Sequence, residues 1–204
     1  MPPTDGSPAS LSAIVLAGGQ SRRMGRDKAL LVLEGQTVLA RTVTALLAVA
    51  GEIVVAGRTH LPGDCPRVRT APDSRPGLGP LAGLQAGLRH TSHRYVACVS
   101  CDLPYFNAGI LSFMAGVLPG HDAVVPLVAD RSQPLYAVYD RRIHSVVDEL
   151  LDRGEHRMSA LLDRLNINWV TEEALTPIDP ALRAFANINT PDDWRRANTP
   201  HLPP

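Results

Sequence analysis

The apolar positions of this chain change period several times, and each change marks an element. Ala13-Ile14-Val15-Leu16 is an unbroken apolar run stopped by Gly18-Gly19, the pattern of a strand buried on both faces that enters a glycine turn. From Thr37, a residue suited to an N-cap, the spacing becomes helical. Leu39, Val43, Leu46, Leu47 and Ala50 share one face, and Gly51 ends it. Glu52-Ile53-Val54-Val55-Ala56 reads as a second strand, so the first third of the chain forms a βαβ unit, with a parallel sheet and a right-handed crossover. The alternation repeats. Pro80 starts a helix carrying Leu81, Leu84 and Leu88, and Tyr95 to Val99 forms the next strand, with Asp102 just past its C-terminal end. Asn107 caps a helix with Ile110, Leu111, Phe113, Met114 and Val117. Ala123 to Val128 and Leu135 to Tyr139 are strands whose short polar connection predicts an antiparallel pair. Two helices follow, one with Ile143, Val146, Val147, Leu150 and Leu151 ended by Gly154, the other with Met158, Leu161, Leu162 and Leu165. Asn166 to Val170 predicts one more strand, and Thr190-Pro191-Asp192-Asp193 has the cap, proline and acids of a helix start. The fold class expected is α/β: a single Rossmann-like three-layer domain over 11–198, with a mostly parallel sheet that includes an antiparallel strand. The Pro-rich ends, 1–10 and 199–204, are expected to be disordered tails.

Composition narrows the partners. With 204 residues, 45% of them hydrophobic, there is material for one core of normal size. A formal net charge of zero gives no long-range field to gather nucleic acid or an anionic membrane. No apolar run approaches a membrane span and the opening residues are too polar for a signal peptide, so the expected location is the cytoplasm. Cys65, Cys98 and Cys101 cannot all pair, and reduced thiols are expected. Among 20 Lys+Arg residues only Lys28 is a lysine, a compact ammonium where the rest of the chain uses arginine's planar fork.

Lys28 closes the segment richest in candidate chemistry, Leu16-Ala17-Gly18-Gly19-Gln20-Ser21-Arg22-Arg23-Met24-Gly25-Arg26-Asp27-Lys28. Glycines let backbone N–H groups approach a phosphate, while Arg22, Arg23 and Lys28 supply positive charge for a triphosphate. The same residues also suit a solvated surface turn. The segment is no Walker A loop, because five residues separate Gly19 from Gly25 and Ala29 follows the lysine. A second cluster, Pro76-Gly77-Leu78-Gly79-Pro80-Leu81-Ala82-Gly83, misses the dinucleotide fingerprint by one residue; it offers either backbone groups to a base edge or close helix packing by Gly83. Asp102, in Cys101-Asp102-Leu103-Pro104, sits where an open α/β sheet places ligands and suits a Mg²⁺ ion, with Asp73 a possible helper; a turn cap before Pro104 is the alternative. Cys98 and Cys101 point to opposite faces of a strand, and the seven histidines show no His-x-x-x-His pair, which disfavours redox and zinc chemistry. Ser-His-Asp hydrolysis lacks its Gly-x-Ser-x-Gly elbow.

Taken in order, the first motif from Leu16 to Lys28, Gly79-Pro80-Leu81-Ala82-Gly83, Cys101-Asp102-Leu103-Pro104, Gln133-Pro134-Leu135 and Asn187-Ile188-Asn189-Thr190-Pro191 resemble those of the molybdenum cofactor guanylyltransferase (MobA) family, over roughly residues 13 to 196. The resemblance implies a nucleotidyltransferase-type fold. It implies that Leu16, Ala17, Gly18, Gly19, Gly79, Pro80, Leu81 and Gly83 hold guanine and ribose, that Arg23 and Lys28 hold the triphosphate, that Asp73 contacts the nucleotide, and that Asp102 binds Mg²⁺. Gln133, Arg157, Asn187 and Asn189 would line the molybdopterin side. The implied substrates are GTP and molybdopterin, with molybdenum-insertion proteins or molybdoenzymes as transient partners. Family members often carry an asparagine after the second strand; this chain reads Ala56-Gly57-Arg58 there.

The implied reaction brings negative charges together. A terminal phosphate of molybdopterin attacks the α-phosphate of GTP in line and pyrophosphate leaves, so Asp102 with Mg²⁺, Lys28 and Arg23 form the expected catalytic set. Rival readings are a cytidylyltransferase for the same cofactor, a nucleotidyltransferase for a sugar or isoprenoid phosphate, and a non-catalytic GTP-binding module in cofactor transfer. A dinucleotide-dependent oxidoreductase needs the fingerprint that fails here.

Overall fold

The computed structural model describes residues 11–18, 28–33, 35–58, 65–73, 75–186 and 193–194, with Lys28 described through its backbone alone. Strand β1, Leu11–Leu16, runs through the middle of the molecule, and its six residues are all buried. Its alternating side chains feed two cores: Leu11, Ala13 and Val15 on one face, Ile14 and Leu16 on the other. A strand covered on both sides cannot alternate with polar residues, which is why it reads as a continuous apolar run.

A short 3₁₀ turn (Lys28–Leu30) and a hairpin, β2 (Val32–Leu33) with β3 (Gln36–Thr37), precede helix α1, Val38–Leu46. Thr37 caps α1 as expected, accepting from the Ala40 N–H at 3.1 Å. Next come β4 (Glu52–Ala56), β5 (Val68–Ala71), α2 (Pro80–His90), β6 (Tyr95–Ser100) and α3 (Ala108–Gly116). The second half holds β7 (Ala123–Val128), β8 (Arg131–Ser132), β9 (Tyr136–Asp140), α4 (His144–Asp152), α5 (Met158–Leu162), β10 (Ile167–Thr171) and α6 (Glu172–Leu175).

Among the described residues the main sheet runs β10-β7-β9-β6-β1-β4-β5, with β8 added to β7. Strand β1 pairs parallel with β4 and β6, β4 with β5, and β10 with β7, whereas β9 lies antiparallel between β6 and β7. The expected mostly parallel sheet with an antiparallel strand is therefore observed. Helices α1 and α3 cover one face through Leu39, Leu46, Ile110, Leu111 and Met114. Helices α2, α4 and α5 cover the other through Leu81, Leu84, Leu88, Val147 and Leu161. Each such side chain contributes about 1.5–3 kcal/mol relative to exposure.

Three details differ from expectation. The polar link after β7 contains its own strand, β8, entered by the two-residue turn Ala129-Asp130, both with positive φ. The last helix of the second pair stops at Leu162, short of Leu165. Strand β5 shows no apolar run because it is an edge strand. The expected tails, Gly19, Arg23, the helix start at Thr190-Pro191, and Asn187 and Asn189 lie outside the described residues. No helix among the described residues is long and apolar enough to cross a membrane.

At the N-terminal edge of the parallel strands sits a buried carboxylate. Glu52 accepts from the Ser12 hydroxyl at 2.6 Å and from the Ser92 N–H and hydroxyl at 2.5 and 2.8 Å, and pairs with Arg69. Burial alone would raise its carboxyl, but these hydrogen bonds and the Arg69 charge together outweigh that and bring it down to about 2. A pKa depressed by folding gives stability that is complete above the ordinary value of 4.5 and disappears as pH falls through about 2. Glu52→Gln is therefore expected to cost roughly 3 kcal/mol at pH 7 and to flatten the loss of stability between those two pH values. Urea unfolding of both proteins across that range checks it; parallel pH profiles would exclude the network as a stabilising element.

Candidate active site

The parallel strands all end on one edge of the sheet, and the residues flagged by the sequence collect there. Gly18 follows β1, Gly57 follows β4, Asp73 follows β5 and Asp102 follows β6. Because β9 runs the other way, its entry segment, Gln133-Pro134-Leu135, reaches the same edge. Two hydrogen bonds fix that meeting: Ser100 N–H donates to Leu135 O at 2.8 Å, and Tyr136 N–H donates to Gln133 O at 3.0 Å. The result is an open cleft of about 210 Å³ lined by Ser100, Asp102, Gln133, Leu135, Tyr136 and Phe185, with Leu103 and Pro134. Its lining combines a carboxylate, a hydroxyl and an amide with apolar and aromatic side chains.

Asp102 stands half-buried in the turn after β6, and the Ser100 hydroxyl donates to its Oδ1. The far end of the Asp102 loop is pinned by Tyr136, whose hydroxyl donates to Asn107 O at 2.6 Å and accepts from Asn107 N–H at 3.1 Å. Burial holds the Tyr136 phenol well above the usual tyrosine range, so it remains a neutral donor. Phe106 and Phe185 pack against its ring, with centroids 5.5 and 5.0 Å away. Sequence reading named Asp102 and Gln133 but missed Ser100, Tyr136 and Phe185. The first was visible only as a polar residue ending an apolar strand.

The glycine turn after β1 rests on β4. Ala17 N–H donates to Ala56 O at 3.0 Å, and Gly57 N–H donates to Ala71 O at 2.9 Å. Gly57 has φ +83, and a Cβ built on it would lie 2.4 Å from the Gly18 Cα. The absence of a side chain at Gly57 thus lets two backbones touch. Leu16 and Ala17 are buried and Gly18 is exposed, so what this segment presents at the sheet edge is backbone.

On the opposite side of the sheet centre, Gly79 caps α2 and Pro80 begins it. Leu81 is fully buried in the core, and a Cβ on Gly83 would lie 3.0 Å from Leu16 Cδ2. The small size of Gly83 therefore serves helix packing. Asp73 uses Oδ1 to accept from the Arg75 N–H at 2.9 Å, shaping the entry to the glycine loop. Three strand spacings, about 14 Å, separate β5 from β6. Asp73 also does not line the Asp102 cleft, so the structure does not bring it to Asp102 as a helper. Arg157 is exposed and bound to Glu155 at 2.8 Å, and the hydrogen bonds from Arg157 hold the Glu155 carboxyl down to about 2. The adjoining His156 carbonyl lies 4.0 Å from a Cβ built on Gly79. The backbone next to Arg157 therefore runs beside the Gly79 loop.

The cysteines behave as expected. Cys98 and Cys101 are buried free thiols in opposite cores, and burial pushes Cys98 up to about 12. No group of three or more His, Cys, Asp or Glu side chains able to cage a metal forms among the described residues.

Residues 13–168 match the MobA-like NTP transferase domain. The chain belongs to the MobA-like NTP transferase domain family. It is a nucleotidyltransferase, built as a mostly parallel sheet between helical layers. Molybdenum cofactor guanylyltransferase of Desulfosudis oleivorans is 32% identical over 190 residues, covering 92% of this chain and 94% of the relative. The probable molybdenum cofactor guanylyltransferase of Methanosarcina acetivorans is 35% identical over 208 residues, covering 92% and 90%. The crystal structure of molybdopterin-guanine dinucleotide biosynthesis protein A from Archaeoglobus fulgidus superimposes with a TM-score of 0.75 at 27% identity, covering 92% of this chain and 96% of that one.

Proposed function

We propose that this MobA-like transferase moves GMP from GTP to molybdopterin, releasing pyrophosphate. The observation that carries the reading is a cleft lined by both Asp102, at the tip of β6, and Gln133, at the entry to β9, on the sheet edge where β1 also ends. A nucleotide laid along the strand ends would approach one side of that cleft, and a phosphorylated pterin would enter from the other. The names borne by the relatives support the choice of GTP and molybdopterin.

The donor set of the cleft fits Mg²⁺: the Asp102 carboxylate and the Gln133 amide carry hard oxygen donors, and Mg²⁺ is commonly held by one or two carboxylates plus substrate phosphates. Asp102 would hold the ion, which when bound supplies charge neutralisation on the phosphates. Lys28 and Arg23 are proposed to hold the triphosphate, because compact and forked cations together match its oxygens. Backbone N–H groups of Gly18, Gly19 and Gly79 would orient the nucleoside. Asp73 is proposed on the nucleotide side, Arg157 and Gln133 toward the acceptor with Asn187 and Asn189. No side chain is asked to form a covalent intermediate; the chain positions the acceptor phosphate in line and screens its charge.

Pyrophosphate release measured with each of the four NTPs, with and without molybdopterin, tests this. Release with GTP only, and only when molybdopterin is present, is expected. Preference for CTP, or release driven by a sugar phosphate, would overturn the substrate reading; GTP binding without any release would overturn catalysis.

A further inference from the structure

We propose that Ser100 is the positioning residue of Asp102, fixing the orientation in which the carboxylate meets a divalent cation. The inference rests on the metal role proposed for Asp102. Ser100 is the last residue of β6 and is tied into the sheet: it is in register with Leu16 of β1, and its N–H donates to Leu135 O at 2.8 Å. Its hydroxyl therefore projects from a rigid platform. Asp102, two residues on, lies in a turn, where nothing in the strand pairing sets the rotation of its carboxyl group. The hydroxyl donates to Asp102 Oδ1 within the cleft that both residues line. That bond restricts the rotation of the carboxylate and so the direction of its lone pairs. Hydrogen-bonded neighbours of ligating carboxylates usually matter for metal affinity by roughly 10–100-fold.

The strand context explains why a serine is required at this position for the task. Residues 96 to 99 are fully buried, so a polar side chain is tolerated only where the strand emerges. Ser100 is that point, half-buried and facing the cleft. Threonine offers the same hydroxyl from the same strand end, and alanine removes it.

Mn²⁺ is titrated into the protein with stoichiometric GTP, and free ion is read by electron paramagnetic resonance, for the wild type, Ser100→Ala, Ser100→Thr and Asp102→Ala. The Mg²⁺ concentration giving half-maximal pyrophosphate release is read in parallel. Ser100→Ala is expected to raise both half-saturation values about 10–100-fold while the rate at saturating Mg²⁺ stays within a few-fold of wild type. Ser100→Thr is expected to restore both. Wild-type Mn²⁺ binding by Ser100→Ala, with binding lost in Asp102→Ala, would overturn the role of Ser100 alone. Unchanged binding in Asp102→Ala would overturn the metal reading of the site itself. A fall in the saturated rate with no change in Mn²⁺ binding would also reject positioning of the metal ligand.

Discussion

Replacing Asp102 by alanine is expected to reduce pyrophosphate release on the order of 10³-fold or more, with the protein still folded. The size follows from charge. Joining an acceptor phosphate to a triphosphate concentrates negative charge, and the positive charge gathered at one carboxylate is worth several kcal/mol in the transition state, a factor of ten for each 1.4 kcal/mol. Folding is expected to survive because Asp102 is half-buried in a turn whose ends are fixed by other groups: Ser100 through Leu135, and Asn107 through Tyr136. Asp102→Asn keeps an acceptor for the Ser100 hydroxyl but loses the charge, so it is expected to fail almost as badly. Turnover by saturating-substrate assay, with thermal unfolding measured alongside, distinguishes the cases. Near-normal turnover by either variant would remove Asp102 from the chemistry.

The second large effect is expected at Gly57, a residue with no side chain to offer. Gly57→Ala meets two penalties at once. The backbone at φ +83 costs an L-residue roughly 1–2 kcal/mol, and the new Cβ falls 2.4 Å from Gly18 Cα and 2.6 Å from Gly18 N. Those atoms are backbone and cannot rotate away, so the turn after β1 must move off β4. A loss of stability of about 2–4 kcal/mol is expected, together with a KM for GTP raised at least about tenfold, since misplaced binding groups of this kind are costly. Gly35→Ala provides the control. Its φ is +82, yet nothing lies within 4 Å of the added methyl group, so only the backbone cost applies and KM is expected to stay unchanged. Equal effects at the two glycines would show that the contact with Gly18 is not what positions the turn.

The same two positions show what sequence patterns carry. Strands β1, β4 and β6 were legible because central strands of a parallel sheet are covered on both faces and become apolar runs. Helix α2 was legible from Pro80, and Asp102 from its place beyond a strand end. Strand β5 was not, since an edge strand such as Val68-Arg69-Thr70-Ala71 has no need of an apolar run. Gly57 was noticed only as part of Ala56-Gly57-Arg58, where family members often carry an asparagine; its contact with Gly18 depends on strand pairing that no local spacing encodes. The Glu52 network was invisible for the same reason: Ser12, Arg69, Ser92 and His93 come to it from separate segments. Gly83 and Leu81, taken by resemblance as nucleotide contacts, turn out to have their side-chain positions committed to packing α2 on the sheet. The approach of the chain after α4 to the Gly79 loop, next to Arg157, was likewise not written in any local spacing.

A crystal structure of the protein with GTP and Mn²⁺, with the manganese located by anomalous scattering, tests the central claim most directly. The predicted result is a peak at about 2.0–2.2 Å from an Asp102 oxygen, bridging to a nucleotide laid across the C-terminal ends of β1 and β6 with its triphosphate toward Lys28. Manganese bound away from Asp102, or a nucleotide seated at the Glu52 edge of the sheet, would contradict it.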